Sequence, residues 1–362
     1  MTDPIYKGLM ERFAQRSVRY PGMDIPEFYE LARELFTAEQ ATVAAAMPKG
    51  FCTAQQLAGT LKKSEQEIEA TLQAMTLDGL LLSVSMDGAE AYSLPPFVPG
   101  IFEYQFMRGT ETDRDRRIAR LIRDYKAAVD RHRKPAKNPF PSMRVIPVDR
   151  KIMVENQIHT YSQVKSYIEN YEPLAVSTCY CRHQAKLMDD GDYCGKPTEV
   201  CMMFGRGAQF VIDRGMGRKI GKDEALEILK QSEEAGLVHC SNNRQEIDFL
   251  CNCCSCHCVI LKQALSHPKP GLAVSSGFQP VWDAEACTAC ETCIDRCPME
   301  ALTMGEEEVP EVDLDRCIGC GVCATGCPSE AIQLEERASI PVPPVDYKAL
   351  KAAIKESQAK QA

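Results

Sequence analysis

Two cysteine runs of identical spacing stand out in this chain of 362 residues. The first lies in 283–302, DAEACTACETCIDRCPMEAL, and the second in 313–332, DLDRCIGCGVCATGCPSEAI. Both read C-x2-C-x2-C-x3-C-P, and each cysteine of the second run follows its counterpart by 30 residues. Cysteines spaced this closely place their thiols around one short loop, and thiolate sulfur is a ligand that soft metals prefer. The repeat therefore predicts two neighbouring metal-binding loops.

This spacing is the bacterial-type ligand pattern of a [4Fe–4S] cubane, in which the fourth cysteine of each run binds the other cluster. We therefore predict that cluster I takes Cys287, Cys290, Cys293 and Cys327. Cluster II takes Cys317, Cys320, Cys323 and Cys297. We expect each fourth cysteine to head a helix, with Pro298 or Pro328 in its first turn, where a missing N–H costs nothing. A four-cysteine zinc site would leave the fourth cysteine and the proline unexplained.

Residues 280–333 thus resemble a two-cluster bacterial-type 2[4Fe–4S] ferredoxin domain. The resemblance implies low-potential transfer of one electron by each cluster. The first loop has Thr288 and Ala289 where the second has Ile318 and Gly319. This difference is expected to change hydrogen bonding to sulfur, and so the relative potentials, without changing the ligands.

Ten further cysteines lie in 174–265, in two groups. The first group is Cys179, Cys181, Cys194 and Cys201. The second is Cys251, Cys253, Cys254, Cys256 and Cys258, with Cys240 shortly before it. So many free thiols would be an oxidation hazard, and in a reducing compartment dense cysteine favours metal binding over disulfides. We predict at least one further iron–sulfur cluster, for which either group has enough ligands, with structural zinc or a redox-active dithiol as alternatives.

The pattern C-x-C-R-H … C-N-C-C-x-C-x-C, followed by the paired runs, resembles a family of uncharacterised prokaryotic ferredoxin-like proteins common in anaerobes. The resemblance covers about 145–333 and implies a cysteine-rich module before a two-cluster domain, but no reaction and no substrate. Many relatives have cysteine where this chain has His257. We expect His183 to be a hydrogen-bonding neighbour rather than a ligand, and Arg182 to pair with a carboxylate on the surface rather than with cluster sulfur.

The segments between the two groups indicate a small α/β domain. Short apolar runs at 174–179, 208–213 and 236–240 predict strands. Residues from Lys222 to Ala235 predict an amphipathic helix that ends at Gly236. Such a domain would bring both cysteine groups to one end.

Residues 28–100 have a helical period and resemble a winged-helix domain. The runs 28–47, 52–61 and 64–84 predict three helices before a β-wing, with a capping box at Ser64 and Glu67 and a hairpin turn at Asp87-Gly88. The third helix, 64–77, carries three glutamates and no Lys or Arg. Carboxylates against phosphate would weaken DNA binding, so protein docking is the favoured role.

Residues 114–137 are rich in Lys and Arg, and prolines follow at 135, 139, 141 and 147. This composition indicates a solvated helix face, or a docking surface for an acidic redox partner, and then a linker. The net charge of −9 argues against a general nucleic-acid or membrane-surface binder. Without an 18-residue apolar run or a secretory signal, we expect a cytoplasmic protein with no membrane span.

These patterns predict an α+β multidomain fold. The predicted segments are a winged-helix-like domain (1–105), a basic helix and linker (106–148), a cysteine-rich α/β metal-binding domain (149–275), a ferredoxin-like dicluster domain (276–340) and a tail (341–362). The predicted function is electron transfer to or from a partner oxidoreductase in anaerobic metabolism. There are two alternatives. One is an iron–sulfur enzyme, or a catalytic subunit, whose middle-domain cluster has an open iron site. The other is a redox-sensing regulator with a winged helix. An electron carrier or an oxidoreductase subunit is favoured over a stand-alone enzyme. The sequence also allows a homo-oligomer.

Overall fold

The structure is a computed structural model that describes residues 4–16, 20–86, 88–132, 140–148, 151–152, 163–188, 193–337 and 342–360. The chain divides into two compact units. Unit 1 comprises Met1–Pro135, His183–Tyr193 and Asp213–Met216, and unit 2 comprises Ala136–Arg182, Cys194–Ile212 and Gly217–Ala362. The five segments inferred from the sequence stay a prediction. Within the described residues, no helix combines the length and the apolar character needed to cross a membrane.

The first part of the chain is mostly helical. Its elements are α1 (Pro4–Ala14), α2 (Pro26–Leu35), α3 (Ala38–Ala46), α4 (Ala54–Leu61), α5 (Glu65–Leu77), β1 (Leu82–Met86), β2 (Ala89–Ser93), α6 (Phe102–Phe106) and α7 (Asp113–His132). The run 28–47 forms two helices rather than the single one expected, because Thr37 and Gln40 form a capping box that starts α3.

The capping box predicted at the third helix is present, since Ser64 and Glu67 cap the first turn of α5 reciprocally. Strands β1 and β2 pair antiparallel with Met86 opposite Ala89. The predicted hairpin turn falls partly outside the described residues, because Asp87 is one of those not described. Arg114 and Arg117 on α7 lie within ion-pair distance of Glu34 in the same unit. Part of the basic stretch therefore meets acidic residues of its own unit.

From residue 140 onward, strands and short helices alternate. The strands are β3 (Met143–Val145), β4 (Leu174–Thr178), β5 (Glu199–Phe204), β6 (Arg218–Ile220), β7 (Val238–Asn242), β8 (Phe249–Cys253), β9 (Phe278–Trp282), β10 (Leu302–Met304), β11 (Pro310–Val312) and β12 (Ile332–Glu336). The helices are α8 (Val164–Asn170), α9 (Tyr180–Met188), α10 (Gly205–Asp213), α11 (Lys222–Glu234), α12 (Val259–Leu265), α13 (Pro270–Ala273), α14 (Thr292–Asp295), α15 (Val322–Thr325) and α16 (Tyr347–Ala359).

Six of these strands form one sheet in the order β3-β7-β8-β5-β4-β6, and all neighbouring pairs are antiparallel. The predicted helix before Gly236 is confirmed as α11. The strand predicted at 208–213 is wrong, because those residues belong to α10. Ala208 and Val211 are its buried residues, three positions apart, which is helical spacing. An apolar run this short does not distinguish a strand from a helix.

The two faces of the six-stranded sheet pack against different parts of the chain. On one face, side chains of β4 and β5 form a core with α8 and α11. On the other, Cys240 of β7 and Cys253 of β8 pack with α12 and with the C-terminal part of the chain, including Ile318 and Val322. Side chains alternate between the faces of a strand, so this alternation sends the strand cysteines towards the paired cysteine runs.

The paired runs form a compact arrangement of loops between two small antiparallel sheets, β9 with β12 and β10 with β11. The expected helix after each fourth cysteine is wrong: Pro298 and Pro328 lie in turns. The short helices, α14 and α15, come before the fourth cysteine instead. The turns are closed by the N–H groups of Glu300 and Glu330, which donate to the carbonyls of Cys297 and Cys327.

Candidate metal centres

Two cavities lie in the C-terminal part of unit 2, and each is lined by four of the predicted ligands. The first has about 340 Å³, counting space open to solvent, and its cysteines are Cys297, Cys317, Cys320 and Cys323. The second has about 290 Å³, and its cysteines are Cys287, Cys290, Cys293 and Cys327. The structure thus brings together the same two crossed sets that the spacing predicts for clusters II and I. Four thiols around an apolar cavity have the right chemistry to bind an iron–sulfur cluster.

The two sets differ in exposure to solvent. Cys317, Cys320 and Cys323 are all buried, whereas Cys290 is exposed. Burial raises the pKa of Cys317, and the N–H of Gly319 and the charge of Arg337 oppose that effect. Backbone N–H groups donate to the sulfur of Cys320 and Cys323 as well. Such N–H···S bonds stabilise negative charge on sulfur and tune the potential of a bound cluster.

The indole of Trp282 provides an independent test of whether a cluster fits the second cavity. Its Nε1 is buried and has no oxygen or nitrogen partner among the described residues. Burial raises the pKa of Cys293, while backbone N–H donors, first that of Ile294, favour the thiolate of Cys293. A buried donor needs an acceptor. A sulfur-rich anion in this cavity would supply one, so the residues present fit the group.

The ten cysteines of the middle region do not separate by sequence group. Seven of them form one connected set through hydrogen bonds between thiols: Cys179 with Cys181, Cys181 with Cys258, Cys258 with Cys253, Cys253 with Cys251 and Cys240, and Cys251 with Cys201. We call this set the seven-cysteine group. It combines three members of the first sequence group with three of the second and with Cys240.

Strand pairing explains why the groups mix. Strand β8 lies between β5 and β7, and Cys251 is directly opposite Cys240 on β7. The β5–β8 register pairs Met202 with Leu250, which brings the preceding Cys201 beside Cys251. The C-x-C spacing of Cys251 and Cys253 reflects the two-residue period of a strand, which sends both side chains to one face. These cysteines meet through sheet register rather than through a local loop.

Two members of the seven-cysteine group stand at helix starts. Cys179 directly precedes α9, and its sulfur accepts the backbone N–H of Arg182. Cys258 is the N-cap residue of α12. Free N–H groups at a helix start favour an anion, so these positions support thiolate ligands. The pKa of both thiols is nevertheless raised, with hydrogen bonding to Cys181 and burial leading for Cys179. A bound cation would supply the charge that ionises them.

The seven-cysteine group adjoins the set of cluster II. A hydrogen bond with Cys253 lowers the pKa of Cys240, but burial and repulsion from Cys258, Cys251 and Cys320 raise it overall. Cys320 belongs to the set of cluster II, and it shares one apolar core with Cys240 and Cys253. The sets of clusters II and I adjoin in turn, since Cys323 and Cys293 lie in one apolar core. The three sets of cysteines therefore follow one another without a break inside unit 2.

Arg182 corrects an expectation from the sequence. Its side chain is fully buried, and no carboxylate lies within ion-pair distance among the described residues. Nε donates to the carbonyl of Pro197 at 2.8 Å and Nη1 to that of Asn252 at 3.0 Å, whereas Nη2 has no hydrogen-bond partner in the described part of the chain. Burial alone would lower the pKa of Arg182, but the nearby thiols of Cys179 and Cys254 raise it. The groups that favour its charge are therefore cysteine thiols.

The remaining middle cysteines are Cys194, Cys254 and Cys256. Cys194 and Cys256 lie beside His257, and the three ligand atoms are within 4.8 Å of one another. Cys254 hydrogen-bonds with Cys256. His183 makes a hydrogen bond, as expected: its Nε2 lies 2.7 Å from the carbonyl oxygen of Thr110. Cys52, in unit 1, is buried, and its thiol donates to the carbonyl of Tyr92.

Sequence reasoning did not include Cys240 or His257 among the candidate metal ligands. Cys240 lies ten residues before the dense second group, and only the β7–β8 register brings it to Cys251. His257 stands inside that group, between Cys256 and Cys258. The combination of histidine with flanking cysteines was the available signal for it, because imidazole is a common zinc ligand.

The comparisons with known proteins bear on the paired runs alone. Residues 286–331 match the sequence model of the family described as the 4Fe-4S dicluster domain. None of the curated proteins matches the chain. The matched segment contains all eight cysteines that line the two cavities. The C-terminal part of this protein therefore carries an iron–sulfur dicluster domain, which indicates iron–sulfur electron transfer.

Proposed function

We propose that this protein is an electron carrier, or the electron-transfer subunit of an oxidoreductase, with three neighbouring centres in unit 2. The two cavity sets hold [4Fe–4S] clusters I and II, and the seven-cysteine group holds at least one further iron–sulfur cluster. Bound at these sites, the clusters supply low-potential one-electron transfer. The observation that carries the proposal is the unbroken series of cysteine sets, in which Cys240 shares one apolar core with Cys320 and Cys323 shares another with Cys293.

The charge around Arg182 supports a further anionic centre in the middle region. A guanidinium without a compensating charge is costly to bury, by several kcal/mol. The groups that offset this cost here are thiols, which are neutral unless a metal ionises them. Thiolates bound to iron would give Arg182 its counter-charge and its orphaned Nη2 an acceptor. The spread of the group also suits several metals, because no three of its sulfur atoms lie within 4.8 Å of one another.

The surface at cluster I supports a docking role. Cys290 is exposed, and so are the acidic residues that flank it in the sequence: Asp283, Glu285, Glu291 and Asp295. We infer a redox partner that presents basic residues, because opposite charge steers association and raises its rate. The rate at which a partner reduces cluster I is then expected to fall as ionic strength rises, and a rate independent of salt would contradict this docking mode.

The helical part of unit 1 is proposed to be a protein-docking domain of winged-helix type. Helix α5 exposes Glu65, and the Glu69 carboxylate accepts a hydrogen bond from the Tyr92 hydroxyl instead of facing a cation. Lys63, close to its start, pairs with Glu39. Helix α5 itself carries no Lys or Arg that would release counterions from DNA. We expect the purified protein not to bind duplex DNA even at low salt. Binding of duplex DNA would favour the redox-sensing regulator instead.

Metal analysis tests the electron-transfer proposal directly. Protein purified without oxygen is expected to contain about twelve to sixteen iron atoms per chain and as many sulfides, four for each cubane. Magnetic interaction between reduced clusters, seen by electron paramagnetic resonance, would show that the centres adjoin. Cys253→Ala should remove only the iron above about eight, and Cys52→Ala should remove none. About eight iron atoms in the parent protein, unchanged in Cys253→Ala, would overturn the third centre.

A further inference from the structure

Cys194, Cys256 and His257 form a group that the electron-transfer proposal does not use. Their ligand atoms all lie within 4.8 Å of one another. Among the described residues, no other three cysteine, histidine or acidic side chains come together this closely. The eight cysteines of the paired runs, which are all described, contain no such triple. This group therefore differs in kind from the cluster-binding sets.

We propose that Cys194, Cys256 and His257 bind one zinc ion at a mononuclear site separate from the seven-cysteine group. The proposal does not depend on the electron-transfer function. Zinc binds thiolate at about 2.3 Å and imidazole nitrogen at about 2.0–2.1 Å in tetrahedral geometry, which places neighbouring ligand atoms about 3.5–3.8 Å apart. Three atoms within 4.8 Å need little movement to reach that spacing. The thiolates of a cubane bind separate irons at its corners and lie farther apart.

The local backbone supports a site that joins two distant segments. Cys256 and His257 lie in the turn between β8 and α12, while Cys194 lies before β5. His257 Nε2 accepts the backbone N–H of Cys194 at 3.2 Å, across 63 residues of sequence. The imidazole therefore already lies beside Cys194, and Nε2 would exchange this N–H for zinc. Zinc between these residues would fasten the turn to that segment.

The ligand chemistry favours zinc over iron–sulfur at this place. A set that mixes imidazole with thiolates is typical of structural zinc, and mixed ligands are less common in cubanes. Cys254 hydrogen-bonds with Cys256, and we assign it as the fourth ligand of the tetrahedron. Because Cys256 is exposed, the ion would have a path to and from solvent.

Metal content of variants provides the test. We expect one zinc per chain in the parent protein, supplied with both metals during anaerobic expression, and a loss of that zinc in His257→Ala with unchanged iron. Cys52→Ala is the matched control and should keep both metals. His257→Cys should keep zinc, because thiolate replaces imidazole as a ligand. Cobalt in place of zinc should give thiolate charge-transfer absorption that falls in Cys256→Ala.

Two results would overturn the zinc site. One is a parent protein that binds no zinc or cobalt under these conditions. The other is a loss of iron above the ferredoxin clusters in His257→Ala, which would place His257 at an iron–sulfur cluster instead. Unchanged resonance signals of clusters I and II in the variant show that the chain has folded. These signals also report on the electron-transfer proposal separately, so failure of one proposal is distinguishable from failure of the other.

Discussion

The guanidinium of Arg182 and the thiol of Cys254 lie side by side in the interior of unit 2, and each shifts the ionisation of the other. Burial by itself raises the pKa of Cys254, but attraction to Arg182 lowers it overall. Arg182 is held in place by two backbone carbonyls, those of Pro197 and Asn252. A fixed positive charge with an unfilled donor thus faces the cysteines of the middle region.

Arg182→Gln is expected to lower the reduction potential of the middle centre, because it removes a positive charge that favours the more negative, reduced state. A charge interaction of about 1.4 kcal/mol corresponds to about 60 mV for one electron. Arg182→Lys keeps the charge and should give a smaller shift. A redox titration followed by electron paramagnetic resonance measures both. An unchanged potential together with unchanged iron in Arg182→Gln would show that Arg182 does not act on the centre.

Trp282 is the single tryptophan of the chain, and it lines the cavity of cluster I. We expect its fluorescence to be strongly quenched in the iron-loaded protein, because iron–sulfur clusters absorb where indole emits. Removal of iron by a chelator should restore the emission severalfold. Cys290→Ala, which removes a ligand of cluster I, should do the same, and Cys52→Ala should remain quenched. Equal emission with and without iron would place the cluster away from the indole.

Gly319 lies in the second loop with φ +66°, and a Cβ there would overlap the carbonyl oxygen of Phe278 and lie 2.5 Å from Ser276 Oγ. We expect Gly319→Ala to destabilise this loop by about 2–4 kcal/mol, from left-handed strain and overpacking together. The loss should appear as about four fewer iron atoms per chain.

Ala289 holds the matching place in the first loop with φ +51°, so Ala289→Gly is the paired control. It should stabilise its loop by about 1 kcal/mol and keep all the iron, because glycine adopts this conformation without strain. Thermal unfolding of the iron-loaded proteins compares the two variants. If both lose iron to the same extent, loop conformation does not explain the effect.

Cys52 belongs to unit 1, and burial raises the pKa of its thiol, with attraction to Arg16 opposing the effect. A raised pKa in the folded state means that its contribution to stability is present below the ordinary thiol pKa of about 8.5 and is lost as pH rises through the higher folded value. We therefore expect slow alkylation of Cys52 in the folded protein at pH 8 and rapid alkylation after unfolding. Mass spectrometry of the peptide that contains Cys52 measures this. Rapid alkylation in the folded chain would contradict its burial.

The sequence by itself determined the eight cysteines of the paired runs and their crossed sets, because all the information lies in short, repeated spacing. The structure brings Cys327 to the first set and Cys297 to the second, and the family match covers the same segment. The capping box at Ser64 and the helix that ends before Gly236 were also predictable, since both depend on interactions within one turn.

Tertiary structure alone decided how the middle cysteines combine. Cys240 and Cys201 meet Cys251 through sheet register, and register depends on strands far apart in sequence. Cys194 likewise contacts His257, 63 residues later in the chain, only because the fold brings the two segments together. The burial of Arg182 was equally hidden, because a single arginine after C-x-C fits a surface ion pair as well as an interior charge. Local spacing determines loops, whereas pairing between strands and burial depend on how the whole unit packs.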